Sequence, residues 1–162
     1  MDQEKKVYEY LDALSIVYQR YKHPAVYTIE QARKHRGCIT GGQAKNLFLR
    51  NSKGKHHYLI VLEQSKQLDI KALQTRIGAS KLSFASAKRL EKYLGVTPGS
   101  VSPFALINDL NHEVETYIDA DLMDYEQLNF HPNVNTVTLT ISSADFKKFL
   151  EHTGNDFYFL HL

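Results

Sequence analysis

Residues 95–103 contain two Gly, two Pro and two Ser within nine positions, and this stretch restricts the path of the chain more than any other. Glycine reaches backbone conformations that other residues avoid, and proline fixes φ and removes a donor, so the main chain here follows a tight, non-helical course. A helix-like segment, residues 87–94, precedes it, and an apolar run, residues 104–107, follows. We expect a loop that offers main-chain N–H groups to a bound molecule or to the neighbouring chain.

The size and charge of the chain limit the classes of protein it can be. With 162 residues, 43% of them hydrophobic, it is long enough for one core and too short for two ordinary domains. A net charge of +2 argues against a generally polycationic nucleic-acid binder but allows a local basic face. The one cysteine, Cys38, cannot form an intramolecular disulfide, and no run approaches the ~18 apolar residues of a membrane span. We expect one soluble, cytoplasmic domain over residues 1–162.

Apolar spacing and capping residues predict the helices. Between residues 4 and 21, apolar side chains recur every three or four positions, which predicts an N-terminal amphipathic helix that ends before His23-Pro24. Thr28 and Gln31 form a capping box, which predicts a short helix to about residue 36. Asp69, Ser86 and Ser143 each precede a further helical pattern, and a glycine follows each pattern. These helices are predicted over residues 70–77, 87–94 and 144–152.

Runs of β-branched, aromatic and alternating residues predict strands over residues 25–27, 44–50, 57–62, 81–84, 114–119 and 136–141. The segment 119–126 is predicted as a turn or a single helical turn, the residues around Pro132 as a loop, and residues 157–162 as an apolar tail. Strands and helices alternate without a strict βαβ repeat. We therefore expect an α/β (α+β) fold with a mixed, largely antiparallel sheet, or a partly open barrel, of about six to seven strands surrounded by helices.

Lys45 and Asn46 are the first candidate functional residues. Lys45 lies in a predicted strand among apolar residues, where its ammonium needs water, an anion or a hydrogen-bond acceptor, and a phosphate is one such anion. Strand alternation that points Lys45 into solvent is the alternative. Asn46 can equally form a hydrogen bond at the edge of a sheet.

The sequence gives little support for metal, thiol or serine chemistry. His56 and His57 are adjacent on a predicted strand and point to opposite faces, and no His-x-x-x-His or Cys-x-x-Cys spacing occurs. Cys38 follows a basic run that could lower its pKa, but a buried structural thiol is the alternative reading. Ser100 and Ser102 lie in no Gly-x-Ser-x-Gly motif, and no phosphate or dinucleotide motif is present. We expect no metal and no other cofactor.

Four segments resemble, in order and spacing, the YbaK/prolyl-tRNA synthetase-associated domain family. They are KNLFLR at residues 45–50, KLSFAS at 81–86, LGVTPGSVSPFAL at 94–106 and FHPNVNT at 130–136. Within this family the chain is most similar to the free-standing alanyl-tRNA(Pro) deacylases, over about residues 23–154. The resemblance implies an editing domain that acts in trans and hydrolyses the ester between a mischarged amino acid, chiefly alanine, and the terminal adenosine of tRNA(Pro).

The resemblance also implies roles for individual residues. Lys45 is expected to contact the phosphate or ribose of the terminal nucleotide, and Asn46 to fix the acceptor end. Backbone N–H groups from Gly99 to Ser102, including those of Ser100 and Val101, are expected to stabilise the oxyanion. The residues expected to form the rest of the substrate site are Ser102, Pro103, His131, Asn135 and Thr136. The basic residues expected to contact the tRNA are Arg33, Lys34, Arg36, Arg50, Lys53, Lys55 and Lys88.

Two other functions remain open from the sequence. One is the sister activity of the same family, deacylation of Cys-tRNA(Pro), because the volume of the pocket cannot be read from the residues. The other is a non-catalytic tRNA-binding accessory protein of a synthetase. The expected partner is the acceptor end of tRNA(Pro), with prolyl-tRNA synthetase or an elongation factor as further candidates, and neither a membrane nor DNA is expected.

Overall fold

The computed structural model describes residues 2–24 and 40–162. The side chains of Asp2, Asp69, Ser86 and Ser142 each accept a hydrogen bond from a main-chain N–H in the first turn of a helix. The predicted strand at residues 25–27 and the predicted helix that follows it lie outside the described residues. The helices are α1 (Gln3–Ala13), α2 (Ile70–Ile77), α3 (Ala87–Leu94) and α4 (Ser143–Thr153), and two 3-10 helices span Pro103–Asn108 and Ala120–Asp124.

The described strands are β1 (Gln19–Lys22), β2 (Gly42–Arg50), β3 (His57–Glu63), β4 (Ser83–Phe84), β5 (Val114–Asp119), β6 (Gln127–Phe130), β7 (Val137–Ser142) and β8 (Phe157–Leu160). They form one sheet in the order β1-β7-β6-β2-β3-β5-β8, with β4 also paired to β2. Four of the seven strand pairs are antiparallel and three are parallel. The predicted mixed, largely antiparallel sheet surrounded by helices is confirmed, and the sheet is open rather than closed into a barrel.

The central strand β3 separates two apolar clusters. Leu59 and Val61 belong to the larger cluster, which α1, α3, α4 and the first 3-10 helix cover. Tyr58 and Ile60, which point to the other face, belong to a smaller cluster with Leu73 of α2. Because both faces are covered, β3 reads as a continuous apolar run rather than an alternating one.

The prediction of one N-terminal helix over residues 4–21 is wrong beyond residue 13. The main chain turns at Ser15, whose φ is 57°, and the N–H of Ile16 returns to the carbonyl of Leu11 at 3.0 Å. The residues that follow pair antiparallel with β7 as β1. Apolar residues at helical spacing continue past the true end because Tyr18 and Ile16 pack into the larger cluster from non-helical backbone.

Three of the eight described strands, β1, β6 and β8, were not expected, whereas the other five were. β6 precedes the loop at Pro132, and β8 occupies part of the predicted apolar tail. Strands of four residues are too short for alternation to be recognised, and their place in the sheet depends on partners that are distant in sequence. The last helix also begins one residue earlier than predicted, with Ser142 rather than Ser143 as its N-cap.

Candidate functional site

The part of the sheet formed by β6 and β7 has one apolar and one polar face. Leu128 and Phe130 turn toward the larger cluster, so Asn129 between them points to the other side. Thr140 is paired with Asn129, and Thr138 lies on the same side of β7. All three polar side chains are buried. Since buried polar groups require partners, this face is suited to polar contacts.

Asn129 joins this face to the start of β2. Its Nδ2 donates to the carbonyls of Thr40 at 2.8 Å and Gly42 at 3.3 Å, and the hydroxyl of Thr140 donates to its Oδ1. Gln43 is paired with Asn129 in the parallel register of β2 and β6. The polar face therefore continues onto β2 at Gln43 and, two residues later, at Lys45.

His131 lies beside His23, which contacts Thr138 on this side of the sheet. Its Nδ1 is 2.8 Å from the carbonyl of Val137, and a carbonyl can only accept, so Nδ1 carries the proton and Nε2 is an acceptor. Burial lowers the pKa of His131, the charge of His23 lowers it further, and the hydrogen bond to Val137 opposes both. The ring of His23, whose Nε2 is 2.9 Å from the hydroxyl of Thr138, lies 5.9 Å away. A neutral His131 can accept a hydrogen bond from an ammonium or hydroxyl group.

Lys45 is half-buried in β2 and has a protein partner. Its ammonium donates a hydrogen bond to the main-chain carbonyl of Lys66, in the turn after β3. An ammonium has three N–H donors, so two remain for a ligand. Sequence reasoning missed Lys66, because the contact spans 21 positions and uses a main-chain atom that no residue pattern marks.

Asn46 lies on the opposite face of β2 from Lys45. It shares that face with Ala44 and Phe48, which pack with the larger cluster. The Oδ1 atom of Asn46 is buried and has no hydrogen-bond partner among residues 2–24 and 40–162. Leaving a buried acceptor unpaired costs about 1–3 kcal/mol. A ligand that donates a hydrogen bond to this oxygen would recover that free energy on binding.

The loop of residues 99–103 is built around Gly99 and Ser102. Gly99 has a φ of 91°, a conformation that favours glycine. The hydroxyl of Ser102 accepts a hydrogen bond from the N–H of Phe104 at 3.1 Å and thereby caps the 3-10 helix that begins at Pro103. Ser102 is fully buried, so its side chain has a structural function.

The N–H groups of this loop are not equivalent. The N–H of Ser100 donates to the carbonyl of Thr97 at 3.0 Å and is therefore engaged within the turn. In the described part of the chain, the N–H groups of Gly99, Val101 and Ser102 donate none of the hydrogen bonds found. Within the described residues, three of the four expected oxyanion donors are thus free, and the fourth, that of Ser100, is engaged.

The structure places the 99–103 loop and Lys45 against different faces of the sheet. Val101 and Phe104 pack with the larger cluster, on the side of Asn46. Lys45, by alternation, lies on the polar side with Gln43. Among the described contacts, Lys45 reaches Lys66 and not the loop.

Asn133 is a candidate that sequence reasoning missed. It is 4% exposed and has a φ of 63°, and both polar atoms of its amide are buried without a hydrogen-bond partner in the part of the chain that the structure describes. The signal that could have found it is an asparagine directly after Pro132, because asparagine tolerates the left-handed conformation. Of its predicted neighbours, Asn135 is half-buried and Thr136 is exposed. The carbonyl of Thr136 accepts from the N–H of His23 at 2.9 Å.

The β2–β3 hairpin and α3 form a basic surface. Arg89 donates to the carbonyl of Gly54 at 3.1 Å and lies 3.1 Å from Nε2 of His57, so it attaches the hairpin turn to the helix. Burial and the charges of Arg89, Lys92 and neighbouring Arg50 lower the pKa of His57 to about 4. We call this the hairpin surface; it comprises Arg50, Lys53, Lys55, Lys88, Arg89 and Lys92, of which Arg89 and Lys92 were not predicted.

Several predicted residues lie outside the described part of the chain: Arg33, Lys34, Arg36 and Cys38. Within residues 2–24 and 40–162, no group of three or more His, Cys, Asp or Glu side chains is arranged to hold a metal ion. In the same ranges, no helix has both the length and the apolar character to cross a membrane.

Comparisons with known families and proteins found matches that cover nearly the whole chain. Residues 23–149 match the model of the aminoacyl-tRNA editing domain. The chain is 43% identical over 162 residues to the prolyl-tRNA editing protein ProX of Acetoanaerobium sticklandii, covering 100% of this chain and 99% of that protein. It is 32% identical over 150 residues to the prolyl-tRNA synthetase associated domain-containing protein 1 of Bos taurus, covering 90% and 87%.

A solved structure shares the fold. It is described as a proposed trans-editing enzyme for prolyl tRNA synthetase, and it matches with a TM-score of 0.73 at 20% identity, over 99% of this chain and 97% of that one. At that identity the match is evidence for the fold alone. The family model and the sequence relatives are evidence for common descent. The chain therefore belongs to the aminoacyl-tRNA editing domain family.

Proposed function

We propose that this protein is a trans-editing hydrolase that removes a mischarged amino acid from tRNA(Pro). The observation that carries the proposal is the 43% identity to a prolyl-tRNA editing protein along the full length of both chains. In the reaction, a water oxygen attacks the ester carbonyl carbon. The tetrahedral intermediate then breaks the bond to the ribose oxygen, which takes up a proton, and the products are the free amino acid and tRNA.

The loop of residues 99–103 is the proposed oxyanion site. Its N–H donors at Gly99, Val101 and Ser102 are unpaired in the described residues, and preorganised backbone donors stabilise charge that develops on a carbonyl oxygen. The hydroxyl of Ser102 is not the proposed nucleophile, because it is fully buried and caps the 3-10 helix. The resemblance to the editing family implies that the 2′-hydroxyl of the tRNA helps to position or activate the attacking water.

Lys45 and Asn46 are the proposed ligands of the acceptor end. The two N–H donors of Lys45 that Lys66 leaves free can bind a phosphate or ribose oxygen of the terminal nucleotide. The unpaired Oδ1 of Asn46 can accept from a sugar hydroxyl or a base amine. Because the two side chains leave β2 on opposite faces, we propose that the acceptor end passes β2 between its pairing with β6 at residues 42–43 and its pairing with β4 at residues 49–50, and contacts both.

His131, Asn135 and Thr136 are proposed to line or orient the amino-acid pocket. The neutral ring of His131, with Nε2 as acceptor, suits a contact with the substrate's ammonium or 2′-hydroxyl. Editing is needed because a synthetase pocket built for proline gains only ~1–3 kcal/mol per methylene against a smaller amino acid. We propose alanine as the amino acid removed. Cysteine is the alternative within the same family, and a non-catalytic tRNA-binding protein is the alternative of another class.

The hairpin surface is the proposed contact with the tRNA backbone. It brings Lys53 and Lys55, both exposed, next to the basic residues of α3. Positive charges that lie close together repel one another, and a bound anion relieves this repulsion. Binding of these residues to tRNA phosphates also releases counterions from the tRNA. Prolyl-tRNA synthetase is a proposed further partner.

A deacylation assay with Ala-, Cys-, Ser- and Pro-tRNA(Pro) tests this function. We expect the purified protein to release alanine faster than the other amino acids and to spare Pro-tRNA(Pro). Faster release of cysteine would identify the sister activity, and binding of tRNA without turnover would identify the accessory protein. Equal rates for Ala- and Pro-tRNA(Pro) would refute editing. Loss of activity with a chelator would contradict the expectation that no metal is needed.

A further inference from the structure

Lys66 connects Lys45 to a buried ion pair. Its main-chain carbonyl accepts the hydrogen bond of the Lys45 ammonium. Its own ammonium lies 3.0 Å and 2.9 Å from the two carboxylate oxygens of Asp119. One residue therefore holds Lys45 through its backbone and Asp119 through its side chain, across the ends of β2, β3 and β5.

Asp119 is a rigid anchor for this arrangement. Its side chain is fully buried at the end of β5. One carboxylate oxygen accepts the N–H of Glu63 at 3.1 Å, and the other accepts the N–H of Asp121 at 3.1 Å. Each oxygen thus has a main-chain donor in addition to the ammonium, which is the satisfied geometry that a buried carboxylate requires.

Two further groups hold the Lys66 ammonium in place. Asp121 lies 2.5 Å away and the main-chain carbonyl of Leu162 lies 3.1 Å away. Hydrogen bonding to Asp121 and to Asp119 raises the pKa of Lys66, and the Lys66 ammonium in turn lowers the pKa of Asp121. The Lys66 ammonium and the Asp121 carboxylate consequently stay charged at neutral pH, and contacts with Asp119, Asp121 and Leu162 hold the turn after β3 in place.

We infer that Lys66 and Asp119 are positioning residues that hold the ammonium of Lys45 in place for the terminal nucleotide. A lysine side chain has many rotamers, and binding loses free energy when they must be ordered. The carbonyl of Lys66 fixes one N–H of Lys45 before substrate arrives and directs the other two. The inference rests on the proposed function, because it assigns Lys45 to the substrate.

Kinetics of Lys66→Met, Lys66→Arg and Lys71→Met test the inference. Lys66→Met removes the side-chain anchor but leaves the carbonyl, and we expect kcat for deacylation to fall about 10- to 100-fold with KM within about twofold. Lys66→Arg can still pair with Asp119 and should restore most of the rate. Lys71→Met changes an exposed lysine of α2 and should have no effect. Full activity of Lys66→Met would overturn the inference.

A second comparison separates positioning from a general loss of stability. Combined with Lys45→Ala, Lys66→Met should lower the residual rate no further, since the group it positions is gone. The same fractional loss in both backgrounds would show that Lys66 acts independently of Lys45, and the inference would fail.

A spectroscopic measurement is independent of turnover. In ¹⁵N NMR of the lysine ammonium groups, Lys45 should give a protected signal, identified by its absence in Lys45→Ala, that Lys66→Met broadens or removes. An unchanged Lys45 signal in Lys66→Met would overturn the inference. If the wild-type protein shows the protected signal but does not deacylate tRNA, the proposed function is wrong. The hydrogen bond between Lys45 and Lys66 would still be confirmed.

Discussion

Arg89 of α3 lies 3.1 Å from Nε2 of His57 in β3, and the two residues join the hairpin to the helix. His57 is 1% exposed, and its ring packs 3.9 Å from that of Tyr93. A guanidinium can only donate, so Nε2 accepts and the ring is neutral. The hairpin surface is thus attached to the core through an imidazole that burial and neighbouring cations keep uncharged.

The neutral state of His57 predicts a pH dependence of stability. Its pKa is about 4 in the fold and near 6.5 in the unfolded chain, so the unfolded chain binds more protons between these values. The stabilisation is complete above about pH 6.5 and is lost as the pH falls toward 4. We expect the free energy of unfolding, measured in urea, to fall between pH 7 and pH 5 by about 1–2 kcal/mol less in His57→Gln than in wild type. The same loss in both proteins would contradict this.

Lys45→Ala should abolish most of the deacylation and leave the fold intact. The variant loses the proposed contact with the terminal nucleotide, and we expect kcat/KM to fall about 100-fold or more, a size typical of a lost positioned charge. Only one hydrogen bond to Lys66 is lost within the protein, so the free energy of unfolding should change by about 1 kcal/mol. Thermal unfolding and the deacylation assay measure both effects, with Lys71→Ala as the control. Wild-type activity in Lys45→Ala would remove this residue from the site.

Ser100→Ala should be mild and Gly99→Val severe, because the loop is proposed to act through its backbone. A β-branched residue at the φ of 91° found for Gly99 costs about 1–3 kcal/mol and would displace the neighbouring N–H donors. Ser100 is 6% exposed, and its main-chain N–H remains in Ser100→Ala. Single-turnover deacylation rates compare the two. A large loss in Ser100→Ala would instead indicate a side-chain nucleophile.

Charge reversal on the hairpin surface should weaken tRNA binding without changing the chemical step. Lys53→Glu with Lys55→Glu should raise KM about 10-fold at low salt, leave kcat unchanged and reduce the salt dependence of binding. Lys71→Glu with Lys147→Glu makes the same change of charge at two exposed positions elsewhere and is the matched control. Equal effects of the two double variants would show that net charge, and not this surface, determines affinity.

Local sequence patterns were sufficient for most elements of the fold. Asp69 and Ser86 cap their helices as predicted, and the main chain at Gly78 and Gly95 has the left-handed conformation expected after a helix. These features depend on residues within four positions of one another, so a pattern can carry them. The helix predicted to residue 21 was wrong, because pairing of β1 with β7 outweighs the continuing helical spacing.

The sequence alone determined the family resemblance, the Gly99 turn and the candidate residues Lys45, Asn46 and His131. Tertiary structure decided how these residues are arranged. Lys45 and Asn46 lie on opposite faces of β2, and the N–H of Ser100 is engaged while those of its neighbours have no partner among the described residues. It also supplied Lys66 and Asp119, which meet across 53 positions, because strands distant in sequence end side by side. Contacts between distant segments depend on the register of the sheet, which no local pattern encodes.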